Sequence, residues 1–166
     1  MVIINQATEK DIPMIEEIMT DVVDFLDSIN QPQWGRENVT WQGLSRHFKI
    51  DDFYIAYMNN FPVACVAIID YDPMFWADIK KGESLFLHKL AVKRCVAGKG
   101  VSTVLLDFAK AECKRRNIQT LRLDTHALRP KLRNFYERHG FDLVEERILF
   151  EKYHTAFYIW DRSDNK

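Results

Sequence analysis

The sequence lacks the features of a membrane protein or a nucleic-acid-binding protein. No apolar run approaches the roughly 20 residues that a membrane-spanning helix needs. The 23 lysine and arginine residues are balanced by 24 aspartate and glutamate residues, so the net charge is only −1. A chain of this charge has no overall positive field to attract nucleic acid or an anionic membrane. We therefore expect neither kind of partner.

Cysteine is also scarce. Cys65, Cys95 and Cys113 are far apart in the chain, and no group of cysteine and histidine residues has the spacing of zinc ligands, so no metal is expected. The first residues, MVIINQATEKDIP, lack the basic stretch followed by an apolar stretch that makes a signal peptide. An odd number of cysteines without such a signal favours reduced thiols and a cytoplasmic protein.

Glycine and proline are too few to divide the chain. The 166 residues include 6 glycines and 5 prolines, with no repeat and no flexible linker, which predicts a single domain over residues 1–166. Period-two and β-branched patterns predict strands in VIINQA, DFYIAYMNN, FPVACVAIIDYD, SLFLHKLAV, QTLRLDTH, FDLVEERI and FEKYHTAFYIW.

Helical periodicity predicts four helices. The first starts with Asp11 as its cap and runs to Ile29, and the second covers TWQGLSRHFKI. The third follows a glycine loop and presents one apolar face, made of Val104, Leu105, Phe108 and Ala111. The fourth covers RPKLRNFYERHG and ends at Gly140. The order βααβββαβαββ indicates an α/β fold with a mixed sheet.

The glycine loop lies in KRCVAGKGVSTVLLDF, residues 93–108, where two glycines flank Lys99 and an apolar helical pattern follows. A P-loop needs Ser or Thr after the lysine, but Gly100 stands there. A dinucleotide-binding loop needs a third glycine, but Thr103 stands in its place. Two interpretations stay open, a pyrophosphate held by backbone amides at a helix N-terminus and a plain strand-to-helix turn.

The segment from Leu87 to Glu146 resembles the GNAT N-acetyltransferase superfamily. Two motifs carry the resemblance: a strand ending in LAV before the glycine loop and helix, and the sequence FYERHGF after a later strand. The resemblance implies a GNAT fold, with a mixed, mostly antiparallel twisted sheet flanked by helices on both faces. It also implies direct transfer of an acetyl group from acetyl-CoA to a primary amine of a small molecule or peptide.

The resemblance assigns roles to particular residues. Backbone amides of the loop would hold the CoA pyrophosphate, and the end of the preceding strand would run beside the pantetheine. Tyr136 matches the tyrosine that gives a proton to the departing thiolate. The implied cofactor-binding residues are Leu90, Ala91, Val92, Ala97, Gly98, Lys99, Gly100, Val101, Ser102 and Arg129.

The sequence departs from the family pattern at several positions. Ala97 stands where the family prefers Arg or Gln, and Ser102 replaces a Gly or Ala. Arg129 replaces a frequent Asn that contacts the cofactor, although its charge could instead reach a CoA phosphate, and Leu132 replaces an Ala. These departures motivate an alternative, a non-catalytic acyl-CoA-binding or sensor module. A dinucleotide-binding enzyme is the other alternative.

The attacking amine must lose a proton. His88 is the candidate base, because regular alternation would place it on the same strand face as Leu90 and Val92 and because its ordinary pKa is near 6.5. The structural alternative is a partly buried, hydrogen-bonded histidine. Glu83 and Asp124 are further candidates.

Aromatic residues indicate where the acceptor would bind. Trp34 and Trp76 are predicted to line its pocket. Trp41, Tyr71 and Phe75 lie in the same regions, and about half of these aromatics are expected to line the site while the rest belong to the core. Cys95 borders the glycine loop but has no neighbouring base, so a covalent acetyl-enzyme is not expected. The two C-terminal strands could pair with a second copy of the chain, giving a homodimer.

Overall fold

Residues 1–164, which the computed structural model describes, form seven strands and four α-helices. The elements are β1 (Val2–Gln6), α1 (Ile12–Ser28), α2 (Trp41–Leu44), β2 (Phe53–Met58), β3 (Phe61–Ile69), β4 (Ser84–Val92), α3 (Val101–Arg115), β5 (Thr120–His126), α4 (Pro130–Arg138), β6 (Asp142–Leu149) and β7 (Tyr153–Asp161). None of the helices in these residues is long and apolar enough to span a membrane.

The strands follow the order β1-β2-β3-β4-β5-β7-β6. The chain forms two compact units, the first made of Met1–Ile68 and His88–Phe108, the second of Ile69–Leu87 and the chain from Ala109 onward. Pairing is antiparallel between β1 and β2, β2 and β3, β5 and β7, and β6 and β7, and it is parallel between β4 and β5. The prediction of an α/β fold with a mixed, mostly antiparallel sheet is confirmed.

In the first unit, α1 buries one apolar stripe. Its buried side chains are Ile15, Ile18, Met19 and Val23, at the spacing that one helix face requires. Asp11 occupies the N-cap position of α1 as predicted, but its carboxylate makes no cap bond to the helix; it accepts the N–H of Thr8 (2.8 Å) and closes the short turn before the helix. Pro13 lies in the first turn, where a missing N–H costs nothing.

The second helix is shorter than predicted, because α2 ends at Leu44 and the chain then turns. The Thr40 hydroxyl caps α2 by accepting the N–H of Gly43 (3.2 Å). Glycine disfavours a longer helix, and Phe48 is buried with its ring edge-on to Phe53 (5.6 Å between centroids). The burial of Phe48 outweighs any gain from continuing the helix.

The inner face of α3 differs in part from the prediction. The buried residues are Val101, Leu105, Leu106, Ala109, Glu112 and Cys113. Val104 and Ala111, predicted to face inward, are exposed. The buried residues recur at the expected helical spacing. They include Ala109 and the polar Glu112, which do not stand out in a pattern of large apolar residues.

In the second unit, the loop between β3 and β4 folds over an aromatic cluster. The ring of Trp76 lies edge-on to Phe157 (5.2 Å between centroids) and tilted against Phe86 (6.2 Å). The loop is closed by hydrogen bonds from Trp76 N–H to the Asp72 carbonyl (2.8 Å) and from Gly82 N–H to the Asp70 carbonyl (2.9 Å). This cluster forms a hydrophobic core within the second unit.

A substitution at Gly43 provides a test of the packing in the first unit. A Cβ at this position would lie 2.2 Å from the Glu37 carbonyl oxygen and 2.9 Å from the Asn38 Cα, and backbone atoms cannot move aside easily. We expect Gly43→Ala to lower the free energy of unfolding by about 1–3 kcal/mol, measured by urea denaturation. Gln42→Ala, at the exposed neighbouring position, is the control and should change it little. Equal effects of the two variants would contradict the packing described.

Candidate active site

The backbone of strand β4 is irregular at Lys89, and we call this irregularity the bulge. This residue has φ of +53°, a left-handed conformation that costs a non-glycine residue roughly 1–2 kcal/mol. Before it, residues 84–87 are all buried; after it, Ala91 is buried while Leu90 and Val92 are half-buried. Regular alternation is therefore interrupted between His88 and Leu90, and the argument that placed them on one face does not hold through the bulge.

Two neighbours hold the bulge in place. The buried Cys65 thiol donates to the Lys89 carbonyl oxygen (3.9 Å), and burial raises the pKa of this thiol to about 12, so the donor keeps its proton. The Lys89 ammonium lies 5.1 Å from the centroid of the Trp34 ring, a cation–π distance. Trp34 is half-buried in the segment between α1 and α2. The bulge thus ties that segment to β4.

His88, the candidate base, is half-buried just before the bulge. Its ring lies 5.6 Å from the Phe48 ring at a tilt of 57°. This contact restricts the rotation of the imidazole. Its role as a base stays a prediction.

The glycine loop is exposed from Ala97 to Gly100. Gly98 has φ of +75° and Gly100 has φ of +78°, and a Cβ on either would meet no atom within 4 Å. Glycine is therefore required for the backbone conformation and not for lack of space. The loop has open space beside it and leads directly into α3.

The loop offers several unused backbone donors. Within residues 1–164, the N–H groups of Gly98, Gly100, Val101 and Ser102 reach no protein acceptor. The Lys99 N–H is used internally, because it donates to the Val96 carbonyl (3.2 Å). Free amides at a helix N-terminus, where the helix dipole is positive, form a site suited to an anion. The donor set is thus narrower than the one expected from sequence, since Lys99 contributes no free amide.

Helix α1 fixes the turn that leads into the loop. The Asp21 carboxylate accepts the Arg94 N–H (2.8 Å), and the Arg94 guanidinium lies 3.6 Å from the centroid of the Phe25 ring. Lys93 forms an ion pair with Glu17, and its side chain is only 16% exposed. A lysine next to a surface loop would ordinarily be solvated, but Lys93 is held in this ion pair.

These anchors were missed from sequence, although a signal exists. Glu17, Asp21 and Phe25 recur every four residues and form one stripe of α1 beside its apolar face. Acidic residues on a helix surface are usually expected to face solvent. The pairing of Glu17 and Asp21 with Lys93 and Arg94 is therefore apparent only in the folded chain.

In the second unit, Tyr136 of α4 is 6% exposed. Its ring lies among those of Phe135, Phe141 and Tyr158, at centroid distances of 5.2, 5.9 and 6.4 Å. Burial, and secondly the charge of Asp124, raise the pKa of Tyr136 well above its ordinary value. The phenol therefore stays protonated at neutral pH and is available as a hydrogen-bond donor.

A polar network joins α4, the helix that carries Tyr136, to β6 and β7. The Tyr158 hydroxyl donates to Glu137 (2.7 Å) and accepts from the Arg133 guanidinium (2.9 Å), which also pairs with Glu146. Sequence reasoning did not find this network, because its members come from α4, β6 and β7. It fixes the orientation of the helix that carries Tyr136.

Arg129 immediately precedes α4, and its charge acts on His126. Burial, then the positive charges of Arg129 and His154, lower the pKa of His126. The His126 Nδ1 accepts the Leu128 N–H (3.2 Å), so this nitrogen carries no proton. The β5–α4 connection therefore presents Arg129 as a cation beside a neutral imidazole.

The remaining predicted site residues, Trp76, Asp124 and Glu83, differ in burial. Trp76 is 7% exposed within the aromatic cluster, and the Arg122 guanidinium lies 5.0 Å from its ring centroid. These are the contacts of a core residue, and a role in acceptor binding stays a prediction. Asp124 is half-buried and acts electrostatically on Tyr136, while Glu83 is exposed.

Comparison with known proteins identifies the fold that carries these features. The sequence profile of the acetyltransferase (GNAT) family matches residues 16–141. The chain belongs to the GNAT family. It is 27% identical over 163 residues to an uncharacterized N-acetyltransferase of Bacillus subtilis (strain 168), YesJ, covering 87% of this chain and 89% of YesJ.

Two solved structures of GNAT acetyltransferases share this fold. One, from Listeria monocytogenes 4b F2365, superposes with a TM-score of 0.75 at 18% identity, over 96% of this chain and 94% of that one. The other, from Elizabethkingia anophelis with acetyl-CoA bound, has a TM-score of 0.67 at 15% identity, over 96% and 97%. GNAT enzymes use acetyl-CoA, and the resemblance read from the sequence is confirmed.

The residues of this chain fit such a cofactor. A pyrophosphate needs several hydrogen-bond donors, and the glycine loop with the first turn of α3 supplies four free amides, two of them on the exposed residues Gly98 and Gly100.

The cysteines of this GNAT protein differ sharply in exposure. Cys95, next to the glycine loop, is exposed, whereas Cys65 and Cys113 are buried and burial raises the pKa of each thiol to about 12. Because the thiolate is the reactive form, we expect one thiol to react with Ellman's reagent in the native protein and all three after unfolding. The control, Cys95→Ser, should abolish the native reaction. Rapid reaction of a second native thiol would contradict the burial described.

Proposed function

We propose that this GNAT protein is an N-acetyltransferase that moves an acetyl group directly from acetyl-CoA to a primary amine of a small molecule or peptide. The observation that carries the proposal is the set of four free amides in the glycine loop and the first turn of α3, in a family that uses acetyl-CoA. The N-acetyltransferase name of YesJ supports the reaction type. A cytoplasmic setting is supported by three cysteines that form no disulfide.

We assign the pyrophosphate of CoA to the amides of Gly98, Gly100, Val101 and Ser102. Ala97 offers no charged side chain at the head of the loop, so binding depends mainly on these backbone donors. Lys99 and Arg129 supply positive charge towards the CoA phosphates. The backbone of Leu90, Ala91 and Val92, after the bulge in β4, runs beside the pantetheine.

The reaction forms one bond and breaks one. Acetyl-CoA supplies the acetyl group as a thioester; the neutral amine nitrogen bonds to its carbonyl carbon, and the carbon–sulfur bond breaks. A backbone N–H of β4 near Leu90 stabilises the negative charge that develops on the carbonyl oxygen. The amine loses one proton, which His88 accepts, and the departing thiolate is stabilised by the Tyr136 hydroxyl.

The raised pKa of Tyr136 defines how it acts. An ordinary thiol has a pKa near 8.5, below that of this tyrosine, so complete proton transfer from the phenol to the thiolate is unfavourable. Tyr136 therefore acts chiefly by donating a hydrogen bond to the thiolate as it leaves. Such a bond to a charged group contributes about 1.5–3 kcal/mol.

We assign the acceptor to the region around Trp34. The Trp34 ring, held by the Lys89 ammonium, offers an aromatic surface in the segment between α1 and α2. An aromatic surface near a strand bulge suits the carbon chain of an amine.

The amide assignment predicts the effect of changing the loop glycines. An alanine at Gly98 or Gly100 would be strained at positive φ, and relief of the strain would move the amides. We expect Gly98→Ala and Gly100→Ala each to raise the Kd for acetyl-CoA about tenfold, measured by isothermal titration calorimetry.

Gly82→Ala is a matched control, since Gly82 has φ of +84° and also meets no atom within 4 Å. It should lower stability by a similar amount and leave the Kd unchanged. Unchanged affinity in both loop variants would contradict the assignment.

The role of Tyr136 predicts a rate effect without a binding effect. We expect Tyr136→Phe to lower kcat about 10- to 100-fold, because the ring packing is kept and one hydrogen bond to the thiolate is lost. The Kd for acetyl-CoA should stay unchanged. Tyr153→Phe, which removes an exposed hydroxyl, is the control. An unchanged kcat in Tyr136→Phe would remove the proposed role.

The alternative function is a non-catalytic acyl-CoA-binding or sensor module of the same fold. It is favoured by Ala97 and Arg129, which replace the preferred side chains of the family. Calorimetry together with acetyl-CoA turnover against a panel of amines and peptides separates the two functions. Tight binding with no turnover on any amine would favour the sensor; stabilisation by NAD without stabilisation by acetyl-CoA would defeat both.

A further inference from the structure

Lys89, in the bulge of β4, has a backbone conformation that suits other residues better. Its φ of +53° lies in the left-handed region, which glycine adopts without steric cost and which asparagine and aspartate tolerate. If this position served only to bend the strand, glycine would bend it with less strain. The presence of lysine therefore points to a role for its side chain.

The contact of Lys89 with Trp34 does not account for the strain. The Lys89 ammonium lies 5.1 Å from the centroid of the Trp34 ring, and both residues are half-buried. One cation–π contact of this kind contributes about as much stability as the left-handed conformation of a lysine removes. The contact therefore offsets the strain at best, and a purely structural tie between the two residues brings no net stability.

The ring beside the ammonium has a defined position before any ligand binds. Two residues after Trp34, Arg36 pairs with Asp24 of α1. At the start of α2, the Trp41 N–H donates to the Glu16 carboxylate, also on α1 (2.5 Å). These contacts hold the segment between α1 and α2 against α1. A cation that is already ordered against such a ring loses less entropy when an anion binds to it.

An ordered ammonium beside an aromatic surface suits one kind of ligand. The Trp34 ring carries no formal charge, so contact with it leaves the full positive charge on Lys89. This charge attracts a carboxylate and repels a second ammonium, and the ammonium group donates hydrogen bonds but accepts none. The ring suits the carbon chain to which a carboxylate is attached.

His88, the proposed base, is the residue next to Lys89. Its ring lies 5.6 Å from the Phe48 ring, between centroids. The Cα atoms of neighbouring residues are about 3.8 Å apart, so one small molecule can present its amine to His88 and a carboxylate to Lys89. An α-amino acid carries both groups on one carbon atom. A simple amine would meet the positive charge of Lys89 with nothing to balance it.

We propose that the acceptor is a primary amine that carries a carboxylate, of the class of the α-amino acids, and that the Lys89 ammonium binds this carboxylate beside Trp34. The inference rests on the proposed acetyltransferase function and narrows its acceptor. Lys89 is then a residue that determines acceptor specificity.

Matched acceptors test the proposal. They are the common amino acids, each with its amide and its decarboxylated amine; leucine, leucinamide and isopentylamine form one such set. The quantity measured is the ratio of kcat/KM for the amino acid to kcat/KM for the decarboxylated amine. This ratio is compared between wild type and variants, because the pKa of the amine differs among the acceptors but is the same for every protein.

The variants change the charge at Lys89. Lys89→Gln should lower the ratio about tenfold, because a hydrogen bond to a charged group is lost, and Lys89→Glu should lower it further. Lys89→Arg keeps the charge and should keep the ratio. Lys10→Gln removes one positive charge at an exposed position before α1 and should have no effect. In the wild type, added salt should raise KM for amino acids more than for the decarboxylated amines.

The outcomes separate this inference from the proposed function. Turnover with a ratio that Lys89→Gln and Lys89→Glu leave unchanged would overturn the carboxylate site alone. No turnover of any acceptor, with acetyl-CoA still bound in calorimetry, would overturn both proposals. Circular dichroism melting identifies a variant that fails to fold. In that case Lys89→Gly, which suits the positive φ and removes the ammonium, carries the test and must lower the ratio.

Discussion

Helix α3 begins with N–H groups that no earlier carbonyl of the helix can reach. The loop and the turn that precede the helix leave these N–H groups available to a ligand. Positive φ at Gly98 and Gly100 turns the preceding loop so that its own carbonyls do not accept from the free amides. Asp21 holds the start of the turn by accepting the Arg94 N–H. Within residues 1–164, the result is a group of backbone N–H groups without a protein acceptor.

Some of this arrangement could be predicted from the sequence, because it depends on local patterns. The glycine pair before a helical stripe and the FYERHGF segment around Tyr136 indicated the family, and strands β2 and β3 followed from their β-rich sequences. Features that depend on tertiary contacts were not predictable. The Lys89 bulge was hidden because alternation assumes a regular strand, and the pairing of Lys93 with Glu17 joins residues from different elements.

In the second unit, burial determines the protonation of a candidate catalytic side chain, Tyr136. Aromatic rings around Tyr136 remove water and keep its phenol protonated, while the hydrogen bonds of Tyr158 with Glu137 and Arg133 orient its helix. Trp76, an aromatic residue in a long loop, packs beside Phe157 in the core of this unit. Loops that fold back on a sheet bury such side chains without leaving a sequence period.

A donor set made of backbone amides has a consequence for how this protein can change over generations. Every residue except proline carries the same N–H, so positions such as Val101 and Ser102 can exchange side chains without altering that group. The replacement of a polar head residue by Ala97 is tolerable for the same reason. Selection must therefore keep the backbone conformation of this loop, and a family can preserve that conformation while most of the side chains change.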